Sequence, residues 1–347
     1  MMTESGRIRL APGYSIAPVI NGCWQLTPDH GGGPASEAEA LSIFAELVEQ
    51  GFTTFDCADI YTGVESLIGR FRRSLPDPDI IQVHTKLVPD KATLHELTAG
   101  DVDAVINRSL QRLGMERLDL VQFHWWDSTV PGLELMAERL LEAQQAGKIR
   151  LLGVTNFNTD HTRQMVEQGI PLVTAQVQYS LLDRRPEKQM TRLCNERGLR
   201  LLPYGVLAGG FLGERYLGAP PPGRMNRSLT KYRLIIEEAG GWELCQSLLR
   251  VLSSIARKHD VPLELVAAKW VLDQPEVSAI ILGVGTKSRA LTNRALADLE
   301  LDDEDRQKIR LQLSHQRIPA GDLYDLERDE SGPHAGIIKT DLQHTQV

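Results

Sequence analysis

From residue 19 to residue 315 the chain repeats one pattern, a short run apolar on both faces followed by a stretch with apolar side chains at helical spacing. The short runs cover 19–24, 52–56, 80–86, 118–124, 151–156, 173–178, 200–204 and 277–282. The helical stretches between them cover 36–50, the turns around Leu67, Ile68 and Phe71, then 101–114, 133–146, 160–169 and 186–198. In the first of these, Ala40, Leu41, Phe44, Leu47 and Val48 share a face, Ser36 supplies an N-cap and Gly51 a stop. A strand apolar on both faces needs cover on both, which alternating helices provide for a parallel sheet. Eight such units predict an α/β fold, a closed (β/α)8 TIM barrel. A doubly wound open sheet is the rival. It is weakened because Gly22-Cys23-Trp24-Gln25 follows the first run, where such a fold carries a Gly-x-Gly-x-x-Gly turn.

The pattern stretches after the seventh run. Residues 205–240 are rich in glycine and proline and contain the basic Arg224, Arg227 and Lys231, so a long loop is predicted after strand seven. A helical stretch over 242–273, broken near Pro262, precedes the eighth run, and helices near 287–299 and 303–315 follow it. No linker interrupts the repeat. The chain therefore reads as one barrel domain over 1–347, with a core of about 7–315 and a C-terminal extension over 316–347. The GDLYDLERD segment of that extension keeps enough apolar side chains to favour docking over a barrel mouth.

A formal charge of -8 argues against nucleic acid or an anionic membrane as partner. Cys23, Cys57, Cys194 and Cys245 show no CxxC pairing, which predicts buried thiols in a reducing compartment. No HxH or HExxH occurs among the histidines, so no metal is expected. The N-terminal residues lack the apolar core of a signal peptide, and the most apolar stretch, 201–213, is broken by Pro203 and four glycines. The expectation is a soluble, cytoplasmic protein.

In a (β/α)8 barrel the residue ending each strand points into the common mouth. Here TTFD ends at Asp56, IIQVHTK at Lys86 and LDLVQFH at His124, while Tyr61 follows Asp56 on the next loop. These four types have a coherent joint chemistry. A carbonyl attacked by hydride becomes an alkoxide, which needs a proton donor and positive potential. A phenol can donate, but its ordinary pKa of about 10 is high for proton traffic at neutral pH. An ammonium beside it stabilises the phenolate and lowers that value, a carboxylate keeps the ammonium charged, and an imidazole hydrogen-bonds and aims the carbonyl oxygen.

In order and spacing, the DCADIY segment from Asp56 to Tyr61, Lys86 in VHTKL and His124 in VQFHWW resemble the catalytic tetrad of the aldo-keto reductase superfamily, in its long-loop, bacterial-type form. The likeness runs from about residue 7 to 315. It implies a barrel that binds an extended nicotinamide cofactor at the strand C-termini, with Tyr61 as general acid, Lys86 and Asp56 tuning it, and His124 orienting the substrate. It further implies that Asn156 in GVTNFN and Gln176 in AQVQYS meet the nicotinamide carboxamide, and that Tyr204 in LLPYG stacks beneath the ring.

The segment ILGVGTKSRALTNRAL (281–296) resembles the adenosine-phosphate signature of the same superfamily. The likeness gives Arg289 the 2′-phosphate and Asn293 the adenine, with the anion near Thr286 at a helix N-terminus. Gly283 stands in this cofactor segment where many members carry lysine, and Thr292 where they carry an acidic or amide residue. NADP(H) is the expected cofactor, and use of NAD(H) stays open. Gly205, Leu207 and Gly209 are the loop positions expected to close over the pyrophosphate, with Arg215 or a later basic residue pinning it. Trp24, Trp125 and Trp126 are expected to wall the substrate pocket. The activity implied is reduction of an aldehyde or ketone to an alcohol, or the reverse, on a small molecule. Two alternatives remain at this point: a cofactor-sensing regulatory subunit with little turnover, and a metal- or Schiff-base-dependent barrel enzyme using Lys86.

Overall fold

The computed structural model describes residues 6–28, 33–34, 36–127, 129–223 and 225–337; Arg224 and 338–347 of the tail lie outside the described residues. The chain opens on an antiparallel hairpin of β1 (Ile8–Ala11) and β2 (Tyr14–Ile16), absent from the sequence expectation. The repeat follows with β3 (Val19–Gly22), α1 (Glu37–Glu49), β4 (Thr54–Asp56), α2 (Val64–Ser74), β5 (Gln82–Leu87) and α3 (Ala99–Leu113). Next come β6 (Leu118–Phe123), α4 (Leu133–Gln145), β7 (Ile149–Thr155), α5 (Thr159–Glu167), β8 (Leu172–Gln178), α6 (Met190–Arg197) and β9 (Arg200–Tyr204). The last part holds α7 (Arg227–Ala239), α8 (Trp242–His259), α9 (Leu263–Leu272), β10 (Ile280–Gly283), α10 (Ala290–Asp298), α11 (Asp303–Ser314) and the short α12 (Asp325–Arg328).

β3 to β10 form one parallel sheet in the order β10-β3-β4-β5-β6-β7-β8-β9. Its two edges meet where Leu201 N donates to Glu276 O (2.8 Å) and Ser278 N to Leu201 O (3.1 Å). This is the expected (β/α)8 barrel, not the open doubly wound sheet. Ser36 caps α1 as expected, accepting from Glu39 N at 3.2 Å, and the 242–273 stretch breaks into α8 and α9 beside Pro262.

Three boundaries differ. The first strand stops at Gly22, and Trp24 lies in a 3-10 turn, Trp24–Leu26. The last strand begins at Ile280. The long loop after strand seven contains α7, whose N-cap Asn226 accepts from Leu229 N (2.8 Å) and which buries Tyr232, Ile235, Ile236 and Ala239. Apart from Gly240, which ends α7, the glycines and prolines that suggested continuous loop precede that cap.

Two apolar cores result. One lies between strands and helices, where Phe44, Phe55 and Phe71 pack with centroids 4.8–6.0 Å apart. The other fills the barrel's N-terminal end, where Tyr14 and Ile16 of the hairpin pack on Ile20, Leu120, Leu202, Ala279 and Ile281. Each such buried side chain stabilises by roughly 1.5–3 kcal/mol. Tyr14 also places its hydroxyl 3.1 Å from His84 Nε2 on β5. The hairpin thus plugs that end of the barrel. Among the described residues, no helix is long and apolar enough to cross a membrane.

Candidate active site

Above the plug, the strand ends assemble one buried polar cluster around Asp56. Its Oδ1 accepts from Lys86 Nζ (2.5 Å); its Oδ2 accepts from Gln122 Nε2 (3.0 Å) and Gln176 Nε2 (2.6 Å). Lys86 also donates to Cys57 O at 2.7 Å. Both members of the pair are 6% exposed at the side chain. Burial disfavours the Lys86 ammonium, but the charge of Asp56, joined by that of Tyr61 once the phenol ionises, outweighs it and holds the group above its ordinary value.

Tyr61 is carried by the turn after β4, where its N donates to Ala58 O and its carbonyl accepts from Val64 N, both at 3.0 Å. The Lys86 ammonium lies 5.1 Å from its ring centroid, and Trp24 packs edge-on at 4.9 Å. Burial pushes the phenol up, and the opposing pull of Lys86 is the smaller effect, so it rises to about 12. The lowering expected from the sequence is therefore present as a contribution but is outweighed. Tyr61 keeps its proton throughout the neutral range.

His124, just past β6, has Nδ1 3.0 Å from Thr155 O. A carbonyl oxygen only accepts, so Nδ1 carries hydrogen. Burial pushes the imidazole down to about 4, which makes the ring neutral and leaves a lone pair on Nε2. That Nε2 is buried without a partner. The neutral ring therefore offers an acceptor, where the sequence reading expected a donor to a carbonyl oxygen. Trp126 stands edge-on to it at 4.4 Å and donates from Nε1 to Pro89 O (2.7 Å). Trp125 turns the other way, into the outer core against Phe123 (5.9 Å). The structure brings Trp24 and Trp126 to the tetrad, and not Trp125.

The residues tied by resemblance to a cofactor fall in two places. Near the tetrad, Gln176 has both ends of its amide engaged, on Asp56 and on Thr155 Oγ1 (3.3 Å). Asn156 has a left-handed backbone, φ 60, and its Oδ1 accepts from Tyr204 Oη at 3.2 Å. The Lys231 ammonium of α7 lies 5.2 Å from the Tyr204 ring centroid. Gly205 and Gly209 have φ 66 and 67, and a Cβ on either would stand 2.6 Å from Tyr232, so both are explained by the packing of α7. Leu207 sits in the same turn, accepting from Gly210 N at 2.8 Å. Arg215 is exposed, its guanidinium 5.6 Å from the Tyr216 ring centroid.

At the far side, a small cleft is lined by Asn21, Gly283, Lys287, Arg289 and Asn293. Arg289 is exposed at the start of α10, while Asn293 is buried with its Oδ1 unpartnered. A Cβ at Gly283 would stand 2.3 Å from Gln25 Nε2, so the Gln25 amide fills the space a longer side chain would take. Among the described residues, no cluster of histidine, cysteine, aspartate or glutamate is arranged to hold a metal.

Sequence reasoning missed four participants: Gln122, Thr155, Tyr324 and Arg328. Gln122 was within reach, since strand periodicity puts it on the same face as His124. Thr155 meets His124 through its backbone carbonyl, which carries no side-chain signal, and Gln176 through its hydroxyl. Tyr324 and Arg328 come from the C-terminal extension. Tyr324 Oη lies 2.5 Å from Tyr204 Oη, and Arg328 donates to Asn156 O (3.1 Å).

Comparison with known proteins bears on the family and the fold. The chain is 30% identical over 304 residues to flagellar radial spoke protein 5 of Chlamydomonas reinhardtii, covering 69% of this chain but spanning only 58% of that protein. It is 25% identical over 318 residues to an NADH-specific methylglyoxal reductase of Escherichia coli, covering 83% of this chain and 92% of the relative. Its backbone superposes on a glycerol dehydrogenase from Gluconobacter oxydans with a TM-score of 0.74, at 24% identity, over 92% of this chain and 98% of the other. The family model described as the aldo/keto reductase family matches residues 18–311, and the chain belongs to that family of oxidoreductases.

Proposed function

We propose that this protein is an NADP(H)-dependent carbonyl reductase that also accepts NAD(H), with Tyr61 as proton donor. The observation that carries the reading is the Tyr61 phenol set against a buried Lys86–Asp56 pair, beside an unpartnered His124 Nε2. The residues present fit a nicotinamide dinucleotide. Asn156 and Tyr204 stand beside the tetrad for its head, and Arg289 with the unpartnered Asn293 Oδ1 lines the cleft for its adenosine end. Gln176 joins the head contacts only by exchanging its bond to Asp56.

The bound reduced cofactor would supply a hydride to the carbonyl carbon. The protein supplies the rest. Tyr61 gives its phenolic proton to the carbonyl oxygen, the O–H bond of the phenol breaking as that of the alcohol forms. Lys86 stabilises the phenolate left behind, Asp56 keeps Lys86 charged, and solvent returns the proton. His124 Nε2 accepts from the alcohol hydroxyl and so holds the oxygen in place, while Trp24 and Trp126 wall an apolar pocket for a small carbonyl or alcohol.

For the cofactor's second phosphate, Arg289 and Lys287 are the cations lining the cleft, and the neutral Gln25 amide over Gly283 favours tolerance of NAD(H). Four buried free thiols suit a reducing, cytoplasmic setting. The test is titration with NADPH and NADH, followed by turnover on a panel of aldehydes and ketones. Turnover with either cofactor supports the proposal. Tight binding with no turnover would favour a sensing subunit, and no binding would overturn the reading.

A further inference from the structure

The C-terminal extension is fastened across the barrel mouth at separate points. Lys188 donates to Pro319 O (2.7 Å) and Gly321 O (2.9 Å), and Thr159 N donates to Asp322 Oδ2 (2.7 Å). Arg185, fully buried, is shared between Asp183 (2.9 and 2.7 Å) and Glu327 (2.7 and 2.8 Å). Although burial opposes it, Arg185 holds the Glu327 carboxyl down to about 2. Between these fasteners Tyr324 is buried, with a left-handed backbone at φ 65. A bulky side chain adopts that conformation only where its surroundings impose it. The tyrosine's hydroxyl reaches the Asn156 Oδ1 and the Tyr204 hydroxyl together. Two non-glycine residues with left-handed backbones, 168 positions apart, thus meet side chain to side chain.

With Oδ1 turned toward two tyrosine hydroxyls, the Asn156 amide has its Nδ2 pointing away from them, carrying two hydrogens for a ligand acceptor. We propose that Tyr324 is a positioning residue of the cofactor site, aiming Asn156 Nδ2 at the carboxamide oxygen of the nicotinamide and making the C-terminal extension part of that pocket. This rests on the nicotinamide reading above. Tyr324 acts through Asn156 and Tyr204 and not on the reacting atoms.

The test uses the full chain and its Tyr324→Phe variant, which keeps the ring and removes only the hydroxyl. Calorimetric titrations are run with NADPH and with its thionicotinamide analogue, whose sulfur is a poor hydrogen-bond acceptor. The variant should lose about fivefold in NADPH affinity, the worth of one positioned hydrogen bond, with the analogue's affinity unchanged. The melting temperature and the KM for carbonyl should hold, and Asn156→Ala should show the same selective loss, not additive with Tyr324→Phe. Equal loss for both dinucleotides, or no loss, would overturn the proposal while leaving the cofactor reading intact. Tighter NADPH binding in the variant would overturn it too, marking Tyr324 as an occupant that competes with the cofactor. If the unmodified chain bound neither dinucleotide, both readings would fall.

Discussion

Replacing Asp56 with asparagine tests the buried pair through stability alone, independently of any substrate. The carboxylate takes three donors, Lys86 at 2.5 Å, Gln176 at 2.6 Å and Gln122 at 3.0 Å. Turning the new amide's oxygen toward Lys86 leaves its NH2 facing two glutamine donors. Gln122 can answer, because its Oε1 is buried and unpartnered and a flip of its amide presents an acceptor. Hydrogen bonding is thus partly recovered, while the counter-charge of Lys86 is lost outright. Removing one partner of a buried pair costs about 3–5 kcal/mol, and the repairable hydrogen bonds place Asp56→Asn near 3. The pH dependence carries the sharper signature. In the unmodified protein Lys86 is held above its ordinary value, so the pair's stabilisation is fully present below about pH 10.5 and is lost only as pH rises through the higher folded value. In the variant the Asp56 charge is gone and the Tyr61 phenol is still neutral between pH 7 and 10, so burial dominates and the folded lysine drops below the unfolded one. The unfolded chain then binds the extra proton, and stability rises with pH between 7 and 10. The penalty of Asp56→Asn should therefore be largest at pH 7 and shrink toward pH 10, as measured by urea denaturation followed by circular dichroism. A penalty below about 1 kcal/mol at pH 7, or one that does not shrink, would show that Asp56 does not hold the buried lysine charged.

Three further outcomes are expected. Glu327→Gln leaves the fully buried Arg185 with Asp183 alone and should weaken the C-terminal fastening by about 3 kcal/mol. Limited proteolysis should then cut within 318–337 faster while the barrel's melting barely moves; unchanged cleavage would contradict this. Gly69→Ala should lower stability by about 1–3 kcal/mol or more, because its Cβ would stand 2.1 Å from Arg112 O, where the backbones of α2 and α3 meet. An unchanged melting temperature would show that the two helices can separate freely. His84 and His124 are each pushed by burial down to about 4, so the stability of the neutral rings is complete above about pH 6.5 and is lost as pH falls through 4, by at most about 3 kcal/mol each. His84→Gln should flatten the acid limb of the stability–pH curve, and equal limbs in both proteins would remove that cause.

Much of the barrel was legible because its strands are short, apolar on both faces and separated by capped helices. Ser36, Gly114 and the break at Pro262 all act where local chemistry says they should. The meeting of Asp56, Lys86 and His124 at one barrel mouth was legible because a strand end fixes direction: each closes an apolar run. The N-terminal hairpin was not, since Ile8–Ala11 and Tyr14–Ile16 are too short to show a period, and their reason for existing is the open end of a barrel not yet formed. α7 was hidden by the glycines and prolines ahead of Asn226. The net rise at Tyr61 and the acceptor role of His124 depend on burial and on the Thr155 carbonyl, neither of which a residue name reports. Tyr324 meets Asn156 only through tertiary folding.

The central claim is that a Tyr61 phenol resting on Lys86 and Asp56 delivers the proton that completes carbonyl reduction. Single-turnover reduction of a responsive aldehyde at saturating reduced cofactor should be compared in the unmodified chain and in Tyr61→Phe, with cofactor affinity measured on the same samples. Affinity should be unchanged and the rate of Tyr61→Phe lower by about 10²–10⁴-fold. Rates within about threefold of each other, with both proteins fully loaded, would contradict it.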